Sequence, residues 1–190
     1  MTKVLIGLCG APSVGKSTTA AKLFSRLKDM GLDVELVTEF CKTWAWDERE
    51  ITPYSQFYFF GKQSYSESRL FNKVDYIVTD SPVLLSAFYQ EYYNNDSSLS
   101  PACREFYRKV QIEDNIKVLN FYLTRKKKYI QKGRFQTEKQ ADEVAEELKE
   151  WLNREGYGYM TLDCPDKDRV DVIIEKLKEV TGGFNGLSMV

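Results

Sequence analysis

The eight residues Gly10-Ala11-Pro12-Ser13-Val14-Gly15-Lys16-Ser17 fit the pattern G-x-x-x-x-G-K-[ST], and together with their flanks they constrain the fold more than any other feature. Before them runs Val4-Leu5-Ile6-Gly7-Leu8-Cys9, too short for a helix and suited to a strand buried on both faces. After them Ala20, Leu23, Phe24, Leu27 and Met30 recur at helical spacing, with Gly31 as the stop. Val34 to Thr38 then reads as a second short strand ending at Glu39. Strand, loop, helix and strand within about 35 residues is the βαβ pattern of a parallel sheet.

The residue types in the loop have a chemical reason. Glycines let backbone N–H groups turn inward around a phosphate, and the start of the following helix adds positive potential. Lys16 supplies a cation for the β- and γ-phosphates, and the Ser17 hydroxyl can ligate Mg²⁺. The expected nucleotide-binding set is therefore Gly10, Ala11, Pro12, Ser13, Val14, Gly15, Lys16, Ser17 and the adjoining Thr18.

The alternation continues along the chain. Thr52-Pro53 predicts the start of a helix running to about Phe71, and Asp75 to Thr79 a third strand ending at Asp80. A helix from about Pro82 to Tyr93 gives way to the polar loop Asn94 to Ser98. Ser100-Pro101 can cap a further helix, and Val118 to Thr124 makes a fourth strand. Thr137 and Gln140 form a capping box for a helix whose inner face is Ala141, Val144, Leu148, Trp151 and Leu152. Tyr157 to Leu162 predicts the last strand. Val170, Ile173, Ile174 and Leu177 face inward on a closing helix, and 181–190 reads as a loose tail. The expectation is one α/β domain over 1–190, with about five parallel strands between helices.

Several chemistries are excluded by composition. The chain has no histidine, which removes Ser-His-Asp hydrolysis and His-ligated metal sites. Its net charge of −1 gives no support for a surface that binds nucleic acid as a whole. Cys9, Cys41, Cys103 and Cys164 form no C-x-x-C pair, so reduced thiols in a cytoplasmic protein are expected. No apolar run approaches the ~18 residues that span a bilayer, and no charged-then-apolar leader opens the sequence.

What remains is a phosphotransferase. A motor-type ATPase places a second carboxylate directly after its strand-end aspartate, whereas Asp80 is followed by Ser81-Pro82. Asp80 is assigned to Mg²⁺ together with Ser17, and Glu39 is the candidate base for the acceptor hydroxyl; residue types alone allow the reverse. The run Arg125-Lys126-Lys127-Lys128-Tyr129-Ile130-Gln131-Lys132-Gly133-Arg134 follows the fourth strand and is the expected cationic lid, about 125–137. Arg125 and Arg134 are its candidate phosphate contacts, because a guanidinium fork suits phosphate oxygens. Tyr54 to Phe71 is dense in aromatic residues, most of them core. One side of it, with Gln56, Phe60 and Gln63, is expected to line a pocket for a flat ring, and Trp44 or Trp46 to stack on a base.

With these residues in place, the chain resembles the nucleoside and nucleotide kinase branch of P-loop proteins. It is most similar to the ribosylnicotinamide-kinase-like ATPases, including small ones of phage genomes. Gly10 to Ser17, Val37-Thr38-Glu39-Phe40, Val78-Thr79-Asp80-Ser81-Pro82 and Gly133-Arg134 carry that resemblance. It implies a three-layer sandwich with a five-stranded parallel sheet in 2-3-1-4-5 order and a lid. It also implies ATP with Mg²⁺ and phosphorylation of a nucleoside or nucleotide in the cytoplasm, the host's if phage-encoded. The aromatic helix with Gln56 is similar to that of deoxynucleoside kinases, where a glutamine reads the base; where that branch has an arginine, this chain has Ser81. An acceptor on a modified base or end in DNA, and a nucleotide-dependent ATPase or switch, are the alternatives. A homodimer is compatible with each.

Overall fold

Lys3–Cys9 forms strand β1, and in the computed structural model, which describes residues 2–130, 132 and 135–184, every residue of β1 except Lys3 is buried. The Gly10–Ser17 loop leads into α1 (Lys16–Asp29), followed by β2 (Val34–Val37), α2 (Cys41–Trp46), α3 (Ser55–Ser68) and β3 (Tyr76–Thr79). Next come α4 (Leu84–Asn94), α5 (Leu99–Ile112), β4 (Ile116–Leu123), α6 (Glu138–Arg154), β5 (Met160–Leu162) and α7 (Arg169–Thr181). The strands make one parallel sheet in the order β2-β3-β1-β4-β5, with Leu5 of β1 registered against Ile77 and Val118.

Helices α1 and α7 pack on each other, and α3, α4 and α5 pack in series with α6 against α4. Two helical groups thus cover a sheet whose middle strand is apolar on both faces, as a parallel sheet requires. Leu5, Ile6 and Leu8 are at most 1% exposed. Truncating such a side chain to alanine costs about 2–5 kcal/mol.

The predicted capping box is present: Gln140 N–H donates to Thr137 Oγ1 at 3.3 Å, and Thr137 N–H to Gln140 Oε1 at 2.8 Å. All five residues expected on the inner face of α6 are buried. Other boundaries shift for local reasons. Thr52 N–H donates to Ser55 Oγ at 2.9 Å, a turn that delays α3 to Ser55. α5 opens at Leu99, which puts Pro101 inside the first turn, where its missing N–H has no partner to lose. β5 is only Met160–Leu162, because Tyr157 stacks on Trp151 at 5.4 Å between ring centres. The short helix α2 has no counterpart in the sequence reading. Nor is the chain loose from Thr181: that residue ends α7, and Phe184 packs on Tyr76 at 6.1 Å. Residues 185–190, the rest of the expected tail, lie outside the described residues.

Because all five strands run in one direction, the residues after their last positions meet at one edge. Gly10, Thr38-Glu39, Asp80 and Thr124 all stand there, the edge at which parallel α/β sheets hold ligands.

Candidate active site

The loop after β1 depends on backbone shapes that only glycine takes easily. Gly10 has φ +139°, and a Cβ there would sit 2.8 Å from the Leu123 carbonyl oxygen. Gly15 has φ +99° just before α1, and its missing Cβ leaves room for the Arg169 guanidinium, 3.1 Å from where the carbon would be. Lys16 Nζ donates to the carbonyls of Gly10 at 2.7 Å and Ala11 at 3.3 Å, so the lysine lies across its own loop. Pro12, Ser13, Gly15, Lys16, Ser17 and Thr18 border a cavity of about 690 Å³. Gly10, Ala11 and Val14 do not border it; Ala11 and Val14 are 2% exposed and anchor the loop from below.

That anchoring has a partner no local pattern identified. Arg169, the first residue of α7, is completely buried. Its Nη1 donates to the Val14 carbonyl at 2.8 Å, its Nη2 to the Thr124 carbonyl at 2.6 Å, and Asp166 Oδ1 lies 2.8 Å from Nη1. One guanidinium therefore joins the phosphate loop, the end of β4 and the β5–α7 connection. The signal in the sequence is a cation at a helix start, where the helix dipole disfavours it.

Glu39 and Asp80 converge as their strand ends predict. Glu39 N–H donates to Asp80 Oδ1 at 2.7 Å. Asp80 is 3% exposed, and the cavity is bordered beside it by Glu39 and Ser81. Asp80 Oδ2 has no partner among the described residues. Hydroxyl and carboxylate oxygens of this kind, Ser17 Oγ and Asp80 Oδ2, suit the hard, oxygen-seeking Mg²⁺.

Helix α3 meets the cavity differently from the expectation. Gln56 and Gln63 border it, 6% and 4% exposed. Gln56 has no side-chain hydrogen bond among the described residues, while Gln63 Nε2 donates to Thr79 Oγ1 at 3.1 Å and Glu67 Oε1 at 3.3 Å. The ring that α3 brings to the cavity is Phe59, not Phe60, which packs against the core. Trp44 does not border the cavity either: its ring lies 4.9 Å from Phe59 and 5.9 Å from Tyr58, and the Arg49 guanidinium covers it at 5.6 Å. Trp46 is 55% exposed. Sequence reasoning missed Phe40, Phe135, and Tyr89 and Tyr93 of α4, which are the other aromatic rings bordering the cavity. Cys41 borders the cavity as well, but burial and the Glu39 charge push its thiol up to about 12, so it is no nucleophile near neutrality.

The first three cations of the basic run after β4 pair with acids. Arg125 pairs with Asp142 and, at 3.6 Å, Glu138 at the start of α6, and does not border the cavity. Lys126 pairs with Asp163 at 2.6 Å and Lys127 with Asp166 at 3.3 Å; of these three cations only Lys127 borders the cavity. The segment is nonetheless tied to the loop, since Ile130 N–H donates to Ser13 Oγ at 3.1 Å. Gln136 Nε2 donates to Tyr93 Oη at 2.8 Å across the cavity mouth. Arg134, expected to touch phosphate, lies outside the described residues.

The model of the AAA domain family matches residues 5–169, which is most of the chain. The chain belongs to the AAA domain family. Among curated proteins none matches it. Solved structures are similar in fold. Deoxyadenosine kinase from M. mycoides with bound dATP is 18% identical at a TM-score of 0.62, over 92% of this chain and 100% of that one. APE1195 is 20% identical at 0.53, over 94% and 96%. The APS kinase of Mycobacterium tuberculosis is 12% identical at 0.52, over 93% and 98%. The five-stranded parallel sheet in 2-3-1-4-5 order is that of the P-loop kinase fold.

This AAA domain also contains a string that matches a GTPase motif. Asn72-Lys73-Val74-Asp75 spells the guanine-reading pattern N-K-x-D of GTPases. The fold rules out that use. Asp75 precedes β3, where Val4 N–H donates to its carbonyl at 2.9 Å, and Lys3 Nζ donates to Asn72 Oδ1 at 2.6 Å. The string therefore sits at the opposite end of β1 from the phosphate loop, about 20 Å away along a strand of this length.

Proposed function

We propose that the protein is a Mg-ATP-dependent phosphotransferase acting on a nucleoside, a nucleotide or a closely related small molecule. The observation that carries this reading is a single enclosure. Lys16, Ser17 and Thr18 of the phosphate loop and Glu39, Gln56 and Gln63 of the opposite wall border the same cavity of about 690 Å³. Donor and acceptor can thus be held side by side, which is most of what phosphoryl transfer asks of a protein.

Charge supports the same reading. Lys16, Lys42, Arg49 and Lys127 border the cavity with the carboxylates Glu39 and Glu50; Arg49 and Lys127 also pair with Asp47 and Asp166, which leaves Lys16 and Lys42 as the cations aimed at phosphate. Lys16 would exchange the Gly10 and Ala11 carbonyls for the β- and γ-phosphates. Ser17 and Asp80 would hold Mg²⁺, which when bound offsets charge on those phosphates. Glu39 would accept the proton of the acceptor hydroxyl. Gln56, more than nine-tenths buried with its amide unpartnered among the described residues, offers one donor and one acceptor to the edge of a planar ring beside Phe59 and Tyr89. Ile130 and Gln136 of the expected lid, bonded to Ser13 and Tyr93, would stand over the phosphates.

An acceptor in DNA has less support, because Arg125, Lys126 and Lys127 are neutralised by carboxylates rather than aligned as a groove. Four free cysteines support a cytoplasmic location; separately, no helix among the described residues is long and apolar enough to cross a membrane. The experiment is ADP release from ATP and Mg²⁺ against nucleosides, nucleotides, ribosylnicotinamide and DNA. Stimulation by one small molecule, with a phosphorylated product by mass, is expected. Stimulation by DNA alone, or turnover indifferent to every compound, overturns the reading.

A further inference from the structure

Helix α3 brings Gln63 to the cavity and holds it from behind. Both hydrogen bonds made by its Nε2, to Thr79 Oγ1 and Glu67 Oε1, lead away from the cavity into the protein. Its Oε1 has no partner among the described residues, so the carbonyl oxygen is the amide atom left for a ligand. Glu67, one turn further along α3, has no exposure to solvent. Thr79 Oγ1 also accepts from Ser81 N–H at 3.4 Å, which ties the group to the turn that carries Asp80.

Which way the Gln63 amide faces depends on what Glu67 can do. An ionised carboxylate only accepts hydrogen bonds, so it must hold the amide nitrogen. A protonated carboxyl also donates, so it can hold the amide oxygen and let the group turn over. On the phosphotransferase reading above, we propose that Glu67 is a positioning residue that selects the acceptor through Gln63. Ionised, it turns the Gln63 carbonyl toward an acceptor that presents an amino or N–H edge; protonated, it frees the Gln63 NH₂ for one that presents a carbonyl edge.

Both states are accessible near neutrality. Burial raises the Glu67 carboxyl from an ordinary 4.5 to about 8, against the opposing hydrogen bonds of Gln63, Thr79 and the Val83 backbone. The other titratable groups that interact with it are Cys9 of β1 and Cys103 and Tyr107 of α5. Burial lifts both thiols to about 12 and the phenol well above its usual range; Lys16 acts on Cys9 from the loop side. None of these three changes charge between about pH 6 and 9, which leaves Glu67 as the titrating member of the group.

The test has a ligand-free part and a substrate part. In the full-length protein labelled with ¹⁵N, the Gln63 side-chain amide, assigned by its loss in Gln63→Leu, should titrate with an inflection between about pH 7 and 9. The inflection should vanish in Glu67→Gln. A flat Gln63 amide in the wild type, or an inflection that persists in Glu67→Gln, overturns the proposal. In the substrate part, paired acceptors differing by an amino or a carbonyl group at one ring edge are compared by kcat/KM. Their ratio should move toward the amino compound by about tenfold from pH 6.5 to 9, and stay constant in Glu67→Gln. A constant ratio in the wild type overturns the proposal. A Gln63 amide that titrates while no nucleoside or nucleotide is phosphorylated upholds the switch and sinks the phosphotransferase reading instead.

Discussion

The backbone N–H of Glu39 donates to Asp80 Oδ1 at 2.7 Å, so a carboxylate at the end of one strand positions the acidic residue at the end of the next. Asp80 is thereby split in function. One oxygen accepts the Glu39 N–H, and the other has no partner among the described residues.

That division separates two substitutions. Asp80→Asn keeps an oxygen for the Glu39 N–H and removes the charge, so its thermal midpoint should stay close to the wild type while kcat falls about 10²-fold or more. Asp80→Ala also strands a part-buried N–H and should cost about 1–3 kcal/mol in stability besides. Thermal melts beside steady-state phosphoryl transfer distinguish the two.

Lys16→Ala removes the cation of the phosphate loop and two bonds to its own carbonyls, neither of which joins separate elements of the core. Phosphoryl transfer should drop by about 10²–10³-fold in a protein with an unchanged circular dichroism spectrum. Undiminished transfer in the folded variant would place the reacting phosphates elsewhere.

Arg169 holds Val14 and Thr124 by their carbonyls at 2.8 and 2.6 Å and is itself fully buried. Arg169→Met leaves both carbonyls without their donor and Asp166 with Lys127 alone, and should destabilise the fold by about 3–5 kcal/mol in urea unfolding. Arg169→Lys keeps the charge but not the two-armed reach. It should recover only part of that loss, with ATP affinity weakened more than stability.

Glu67 makes stability depend on pH. Its carboxyl, ordinarily near 4.5, is raised to about 8 in the folded chain by burial. Between those values the folded chain keeps a proton that the unfolded chain releases. Unfolding free energy should therefore decline as pH rises through that window and level off above it. Glu67→Gln should remove the decline, which denaturant titrations at several pH values would register.

Much of the fold was legible because its determinants are local. The apolar run of β1, the glycine loop and the spacing of α1 lie within about thirty residues of each other, and strand, loop and helix propensities act over that range. The ends of β2 and β3 were equally readable, and with them Glu39 and Asp80. The aromatic helix was not. Its rings outnumber one face, and that Phe59 borders the cavity while Phe60 packs on the core depends on neighbours brought in by other elements. Arg125 went to the α6 acids for a related reason, since carboxylates of another element stand nearer to it than the cavity does.

The sequence by itself determined the order of elements and the identity of the phosphate loop, since periodicity and loop chemistry are properties of neighbouring residues. Only the tertiary structure decided which polar groups lost water. Arg169 reaches Val14 across 155 residues of chain, and Glu67 is sealed among β1, β3 and α5. Desolvation is set by whatever packs around a group, and here that comes from distant segments of the chain.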